Sequence, residues 1–365
     1  MRREAGRPHS PGMTIDESKL NTFIERFVAD AAATAHAATV VLGDRLGLYR
    51  ALADGGPQTA AELAARCGCH PRLVEEWANA QAASGYCAVD ADAGTYRLEP
   101  EQAACLADEQ HPAFVLPYLV LASSLHRVED RATAAFTGDG ELSWGDHDHA
   151  LFDAVSRLTP SDYADLVSGW VPALDGVEAK LRAGARVADL GCGEGYPTVL
   201  LAEAFPQSTF AGFDTHLESI DLARKAAAEA GVSGRVTFEA APASATPGGP
   251  YDLVCTLDAF HDMGDPAAVA RRIRQVLAPD GTWMIVDRNA GDTLGENLNE
   301  RGRLCYSAST FICVPNALAQ GASGPEVLGA QAGEARFRQV ILDAGFTSVR
   351  RAAETPFNLV LEARP

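Results

Sequence analysis

The stretch that most constrains the fold is "VADLGCGEGYP", residues 187 to 197. A short apolar run carries an acid, Asp189. Then Gly191, Gly193 and Gly195 stand at every second position, and a helical pattern follows. Glycine at such positions lets the chain turn sharply and lets another group approach the backbone where a Cβ would intrude. Strand and helix patterns go on alternating downstream. "RVADL", a helix over 197–205, "TFAGFD", a helix over 217–231, "RVTFEA", "YDLVCTLD", a helix over 266–277 and "GTWMIVD" follow in order. Continuous apolar strands alternating with helices imply a parallel sheet covered on both faces. The chain closes with a helix over 334–344 and two strands, "SVRRAAE" and "NLVLEAR", joined by "TPF". That ending predicts an antiparallel hairpin added to the sheet.

In a doubly wound sheet the ligand lies outside the carboxyl ends of the strands, and the helix behind the first loop offers free N–H groups to it. Asp214 ends the second strand, where a carboxylate accepts both hydroxyls of a ribose. The spacing is G-x-G-x-G, not the G-x-G-x-x-G of nicotinamide sites. Asp189 would sit poorly under a pyrophosphate. It suits a ligand with positive charge, an amino group or a sulfonium. A nucleoside carrying that charge is S-adenosylmethionine (SAM).

The N-terminal half reads differently. Residues 1–14 are polar with Pro and Gly and are expected to form a disordered tail, with Met13 an alternative start. Residues 17–53 read as helix, with Phe23, Phe27, Val40, Val41, Leu46 and Leu48 at helical spacing. Helices over 59–67 and 71–84 and the short strands "YCAV" and "TYRLEP" then form a winged-helix pattern over 15–110. That pattern admits DNA binding or a packing and dimerisation role. The second helix offers Arg72 against Glu75 and Glu76, and the wing carries Asp90, Asp92 and only Arg97. Such a surface repels phosphates. A formal net charge of −19 over 365 residues points the same way. Residues 111–180 read as a helical connector, in which Asp146 or Asp148 of "GDHDH" is expected to cap a helix rather than bind metal. The eight cysteines are scattered without zinc-finger spacing and read as reduced thiols of a cytoplasmic protein. No run is long and apolar enough to span a bilayer.

"VADLGCGEGYP" and "FAGFD" resemble the first motif and the second-strand acid of class I SAM-dependent methyltransferases. "AAPASA", residues 240–245, stands where that family's adenine-contacting loop lies, with Pro242 where many members have an acid. The resemblance covers residues 181–365 and implies a Rossmann-like seven-stranded sheet with an antiparallel C-terminal strand. With the winged helix in front, the chain is similar to small-molecule O-methyltransferases, and more similar still to a bacterial group often labelled transcriptional regulators. It implies SAM as cofactor, a small organic acceptor and a homodimer. The expected cofactor residues are Asp189, Gly191, Gly193, Gly195, Asp214, Thr215, Pro242, Ala243 and Asp258. "LDAFHDMGDP", residues 257–266, resembles the stretch holding that family's general base. The role carries over to His261, with Asp262 or Asp287 orienting the ring; packing or capping is the alternative role for this histidine. Asp262 and Asp265 also suit capping before Pro266. Tyr196, Asn297, Asn299 and Tyr306 are expected to line the acceptor site, the last three on a lid-like insertion over 296–321. Phe311, Tyr163 and Trp170 read as core. The chain departs from the group at Glu194, Tyr196, Pro197 and "DRN", residues 287–289. These departures keep other SAM chemistry open: transfer to nitrogen, sulfur or carbon, cyclisation, or elimination. A SAM-responsive DNA-binding regulator is the remaining alternative.

Overall fold

The computed structural model describes residues 15–365 apart from Ser323; the expected disordered tail, 1–14, lies outside the described residues. The chain divides into two compact units, the first ending at Ala107 and the second spanning Asp108–Pro365.

The first unit begins with helix α1 (Glu17–Arg45) and helix α2 (Leu48–Gly55). The single helix expected over 17–53 is broken because Gly47 takes a left-handed φ of 69° between the two. Strand β1 (Gln58–Thr59), helices α3 (Ala60–Cys67) and α4 (Pro71–Ala83), strands β2 (Ala88–Asp90) and β3 (Thr95–Arg97), and helix α5 (Pro100–Leu106) complete the unit. Its sheet has the order β1-β3-β2. Thr59 and Glu62 form a reciprocal capping box at the start of α3. Helix α1 presses on α4 at Gly43, where a Cβ would lie 2.6 Å from the Trp77 ring. The Trp77 indole N–H donates to the Thr39 carbonyl at 2.9 Å. Phe23 and Phe27, though at helical spacing, are 65% and 64% exposed.

The second unit opens with helices α6 (Pro117–Leu125), α7 (Glu129–Thr137) and α8 (His149–Asp162), a π-helical turn (Leu166–Trp170), and helices α9 (Val171–Ala173) and α10 (Val177–Ala183). The segment 111–180, expected as a separate connector, is therefore part of this unit: Tyr163, Leu166, Trp170, Val171, Val177 and Leu181 share one core with the sheet. Strands and helices then alternate: β4 (Arg186–Leu190), α11 (Tyr196–Ala204), β5 (Thr209–Asp214), α12 (Leu217–Glu229), β6 (Val236–Ala240), β7 (Tyr251–Leu257), α13 (Pro266–Val276) and β8 (Leu277–Arg288). Helices α14 (Glu300–Phe311), α15 (Cys313–Ala319) and α16 (Gly333–Asp343) precede β9 (Ser348–Glu354) and β10 (Asn358–Arg364). The sheet order is β6-β5-β4-β7-β8-β10-β9. Strands β4 to β8 pair in parallel, and β10 runs antiparallel to both β8 and β9.

Both faces of this sheet are buried, and alternate residues serve alternate faces. Leu253, Cys255, Met284, Val286 and Val360 join one core. Val254, Trp283, Ile285, Leu359 and Leu361 join the other. The two cores fix the height of the strand ends, and these carry the candidate site. No helix among the described residues is long and apolar enough to cross a membrane.

Candidate active site

The chain leaves β4 through Gly191, Gly193 and Gly195, with φ of 74°, 51° and 79°. The three glycines serve different needs. A Cβ on Gly191 would lie 2.6 Å from the Ala259 Cβ, and one on Gly195 would lie 2.6 Å from the Phe238 ring and 2.8 Å from the Ala223 Cβ. Only at Gly193 is there nothing within 4 Å. At Gly191 and Gly195 the protein's own side chains fill the space a Cβ would take.

Asp214 holds this loop. Its carboxylate accepts from the Gly193 N–H at 2.9 Å and from the His216 N–H at 2.9 Å. Its carbonyl accepts from Ala241 N–H at 2.9 Å, which brings the half-buried Ala243 and exposed Pro242 segment toward the end of β5. Thr215 is exposed beside it. His216 stacks on Phe152 from α8, with centroids 5.3 Å apart and planes 16° from parallel. Ser156 of α8 donates to Glu194 at 2.8 Å. Helix α8 is therefore fastened on both sides of the loop.

Asp189 is buried. One carboxylate oxygen accepts from the Thr198 hydroxyl at 2.5 Å, and the other has no partner. Burial pushes this carboxyl up to about 7, with Asp214 adding to the effect and Thr198 opposing it. A buried carboxylate oxygen without a donor is costly. An ammonium group is the donor that fits it, as the amino group of SAM would supply.

A second cluster stands at the ends of β7 and β8. The turn holding Ala259 and Met263 packs directly on Gly191. His261, in the same turn, is buried, and its Nδ1 lies 2.9 Å from Asp287 at the end of β8. Asp258 lies 4.0 Å from the same nitrogen. Asp287, not Asp262, is therefore the carboxylate within hydrogen-bonding distance of the ring. Burial alone would push the imidazole down, but the Asp287 charge, with Cys313, holds it well above the ordinary histidine range. Asp262 has its carboxyl pushed up to about 7 by burial, while its backbone carbonyl accepts from Asn316 and Gln320. Asp265 takes the capping role, accepting from Ala268 N–H at 2.7 Å.

Asp258 has a left-handed φ of 54° and is paired to the Arg288 guanidinium. That conformation is costly for a residue with a Cβ and marks a functional or strained position. Asp258, expected to face the cofactor, has one carboxylate oxygen on Arg288. Asp162, at the end of α8, is pushed up to about 6 by burial and accepts from the Tyr118 hydroxyl at 3.4 Å. Sequence reasoning missed Tyr118 and Asp162, which carry no motif. The only signal nearby was "DRN" where the resembled group ends this strand in Glu-Pro. Ligand-type atoms of Asp258, His261 and Asp287 lie within 4.8 Å of one another. A divalent cation among them would face the Arg288 guanidinium already seated on Asp258.

The remaining expected residues have local duties. Asn297 is buried and clamps a loop: its side chain accepts from Gly291 N–H at 2.8 Å and donates to the Gly291 carbonyl at 2.9 Å. Asn299 caps α14, accepting from Gly302 N–H at 2.9 Å. Tyr306 is part-exposed on α14, and Tyr196 opens α11 with its ring 38% exposed. Phe311, Tyr163 and Trp170 join hydrophobic clusters. In "GDHDH", Asp148 caps α8 and Asp146 accepts from Ser143.

Comparison with known proteins adds to this geometry. Residues 181–331 match the family described as "Methyltransferase domain", and residues 34–108 match the "Rv2258c-like winged HTH domain". The chain carries a SAM-dependent methyltransferase domain behind a winged helix-turn-helix domain. The methyltransferase domain is similar to 27-O-demethylrifamycin SV methyltransferase of Amycolatopsis mediterranei, at 33% identity over 40% of this chain and 48% of that protein. It is also similar to trans-aconitate 2-methyltransferase of Streptomyces avermitilis, at 42% identity over 31% of this chain and 38% of that protein. The chain thus spans about half or less of these curated relatives. The fold is that of the mitomycin 7-O-methyltransferase MmcR, with a TM-score of 0.71 at 18% identity over 95% of this chain and 100% of that one. It is also that of the neocarzinostatin-pathway O-methyltransferase NcsB1, solved with S-adenosyl-L-homocysteine and 1,4-dihydroxy-2-naphthoic acid. There the TM-score is 0.63 at 19% identity, covering 93% of this chain and 98% of that one.

Proposed function

We propose that this methyltransferase domain acts on a small organic acceptor, at oxygen, with His261 as the general base. SAM, when bound, supplies an electrophilic methyl group on a sulfonium, which an acceptor oxygen takes by in-line displacement. Asp189 receives the ammonium group on its unpartnered oxygen. Asp214 receives the ribose hydroxyls while keeping the glycine loop in place, and Pro242 and Ala243 bound the base. His261 takes the acceptor's hydroxyl proton, and Asp287 orients the ring and balances the charge that forms on it.

The observation that carries this reading is the His261–Asp287 pair at 2.9 Å, set in a turn that packs on Gly191. A histidine held by a buried carboxylate beside the loop of a cofactor strand has the arrangement of a base and its orienting group. Because the ring is held above its ordinary value, the neutral, proton-accepting form gains population as pH rises. The rate is expected to climb through a midpoint above the usual histidine range near 6.5. The test is product mass with a panel of phenolic and hydroxyl acceptors. A gain of one methyl that is lost in His261→Asn supports the reading. Full turnover by His261→Asn contradicts it, and consumption of SAM with no methylated product favours cyclisation or elimination.

The partner proposed for the first unit is a second copy of the chain, not DNA. Leu20, Phe23, Ile24, Phe27 and Val28 form an exposed apolar stripe on α1. Arg72, the cation of the would-be recognition helix, is paired with Glu75 and Glu76 on its own helix. Eight free cysteines suit the cytoplasmic setting proposed for the protein.

A further inference from the structure

Arg288 touches both carboxylates that flank His261. Its backbone N–H donates to Asp287 at 2.8 Å, and its guanidinium pairs with Asp258 on the other side. Asp287 stands 2.9 Å from the ring nitrogen and Asp258 stands 4.0 Å from it. One residue thus sorts two acids around one imidazole. The Asp258 oxygen nearer the ring, Oδ1, is buried without a hydrogen-bond partner, while the other oxygen is on Arg288. The ionisable groups around the ring are Asp258 and Asp262 from its own turn, Asp287 and Arg288 from β8, Cys305 from α14 and Cys313 from α15. Arg288 is the sole permanent cation among them.

We infer that Arg288 is a positioning residue for His261: its guanidinium holds Asp258 off the ring, so that Asp287 alone partners Nδ1. Two free carboxylates within about 4 Å would hold the imidazole as a firmly bound cation. With the Asp258 charge balanced by the guanidinium, the ring faces one uncompensated carboxylate, that of Asp287. The role rests on the reading of His261 as base only for its consequence on rate.

The experiment reads the ring itself and needs no acceptor. The full chain is labelled with carbon-13 histidine, and the His261 signal is assigned by its loss in His261→Asn. Titration is then followed in the parent protein, Arg288→Met, Arg288→Lys and the double variant Arg288→Met with Asp258→Asn. Asparagine tolerates the left-handed backbone at 258. Arg288→Met is expected to raise the midpoint by about one pH unit, a tenfold gain in proton affinity. The double variant is expected to reverse the rise, and Arg288→Lys to stay near the parent. An unmoved midpoint in Arg288→Met with the other histidine signals unchanged overturns the inference, as does a rise that persists in the double variant. If the methionine variant does not fold, Arg288→Gln makes the same comparison, since it keeps a hydrogen-bond donor and loses the charge. A ring that responds as expected in a protein whose turnover survives His261→Asn would sink the base reading and leave this inference standing.

Discussion

Asp189 is 1% exposed, has one carboxylate oxygen on Thr198 and leaves the other without a donor. The fold carries this cost at a place where a ligand can relieve it. Replacement of Asp189 by Asn is expected to leave the melting temperature equal or higher, because an isolated buried charge is removed. Calorimetric melting checks this. The sign of the pH effect follows from the raised carboxyl. In the folded chain it takes up a proton near 7, against 3.8 in the unfolded one, so its effect on stability is most favourable below 3.8 and fades as pH rises through 7. His261 is also raised, so its contribution is full below about 6.5 and lost as pH rises through its higher folded value. The glycines separate in the same way. Gly195→Ala is expected to cost about 2 kcal/mol or more, since strain at φ 79° is joined by overlap with Phe238 and Ala223. Gly193→Ala is expected to cost about 1 kcal/mol, from backbone conformation alone. Denaturant unfolding of the two variants reads the difference, and equal losses would contradict the assignment of separate roles.

At the level of elements, much was legible because local chemistry decides it. Asp148 and Asp265 cap the helices that their positions before helical runs suggested. Alternating strands and helices gave the sheet, because side chains on both faces of β7, β8 and β10 are buried. The break at Gly47 escaped notice, since apolar spacing continues through it. The local role of Asn297 was not legible for a different reason: a polar side chain on an insertion looks the same whether it meets a ligand or its own backbone. Asn297→Ala removes both bonds to Gly291 and leaves buried groups unpaired, so it is expected to cost about 1–3 kcal/mol. Unfolding by urea checks that value. Helix α1 carries uncovered apolar surface, with Phe23 and Phe27 exposed on successive turns. Sedimentation of the parent chain is expected to show a dimer, and Phe23→Asp with Phe27→Asp a monomer. A parent chain that sediments as a monomer would contradict the proposed role of this helix.

Across the whole molecule, charge and topology limit what the chain can do. A net charge of −19 and an Arg72 held by its own helix leave the winged helix with little to offer a phosphate backbone. A mobility shift with duplex DNA at low salt is expected to stay negative. That Asp189, the glycines and Asp214 come together was legible because they lie within one strand–helix–strand unit. The other side of the candidate site was not, because Tyr118, Asp162, Asp258 and Arg288 come from distant parts of the chain and meet only once the sheet is built. No pattern in sequence announces that Arg288 will bridge to Asp258, or decides between Asp262 and Asp287 as the acid beside His261. The most direct measurement is isothermal titration of the full chain and of Asp189→Asn with S-adenosylhomocysteine. Binding is expected at one site, weakening as pH falls below about 7. It should be weaker in Asp189→Asn by about 2 kcal/mol, roughly thirtyfold, without loss of folded protein. No binding to the parent chain, or equal binding to a folded Asp189→Asn, would contradict the assignment of this strand end as the cofactor site.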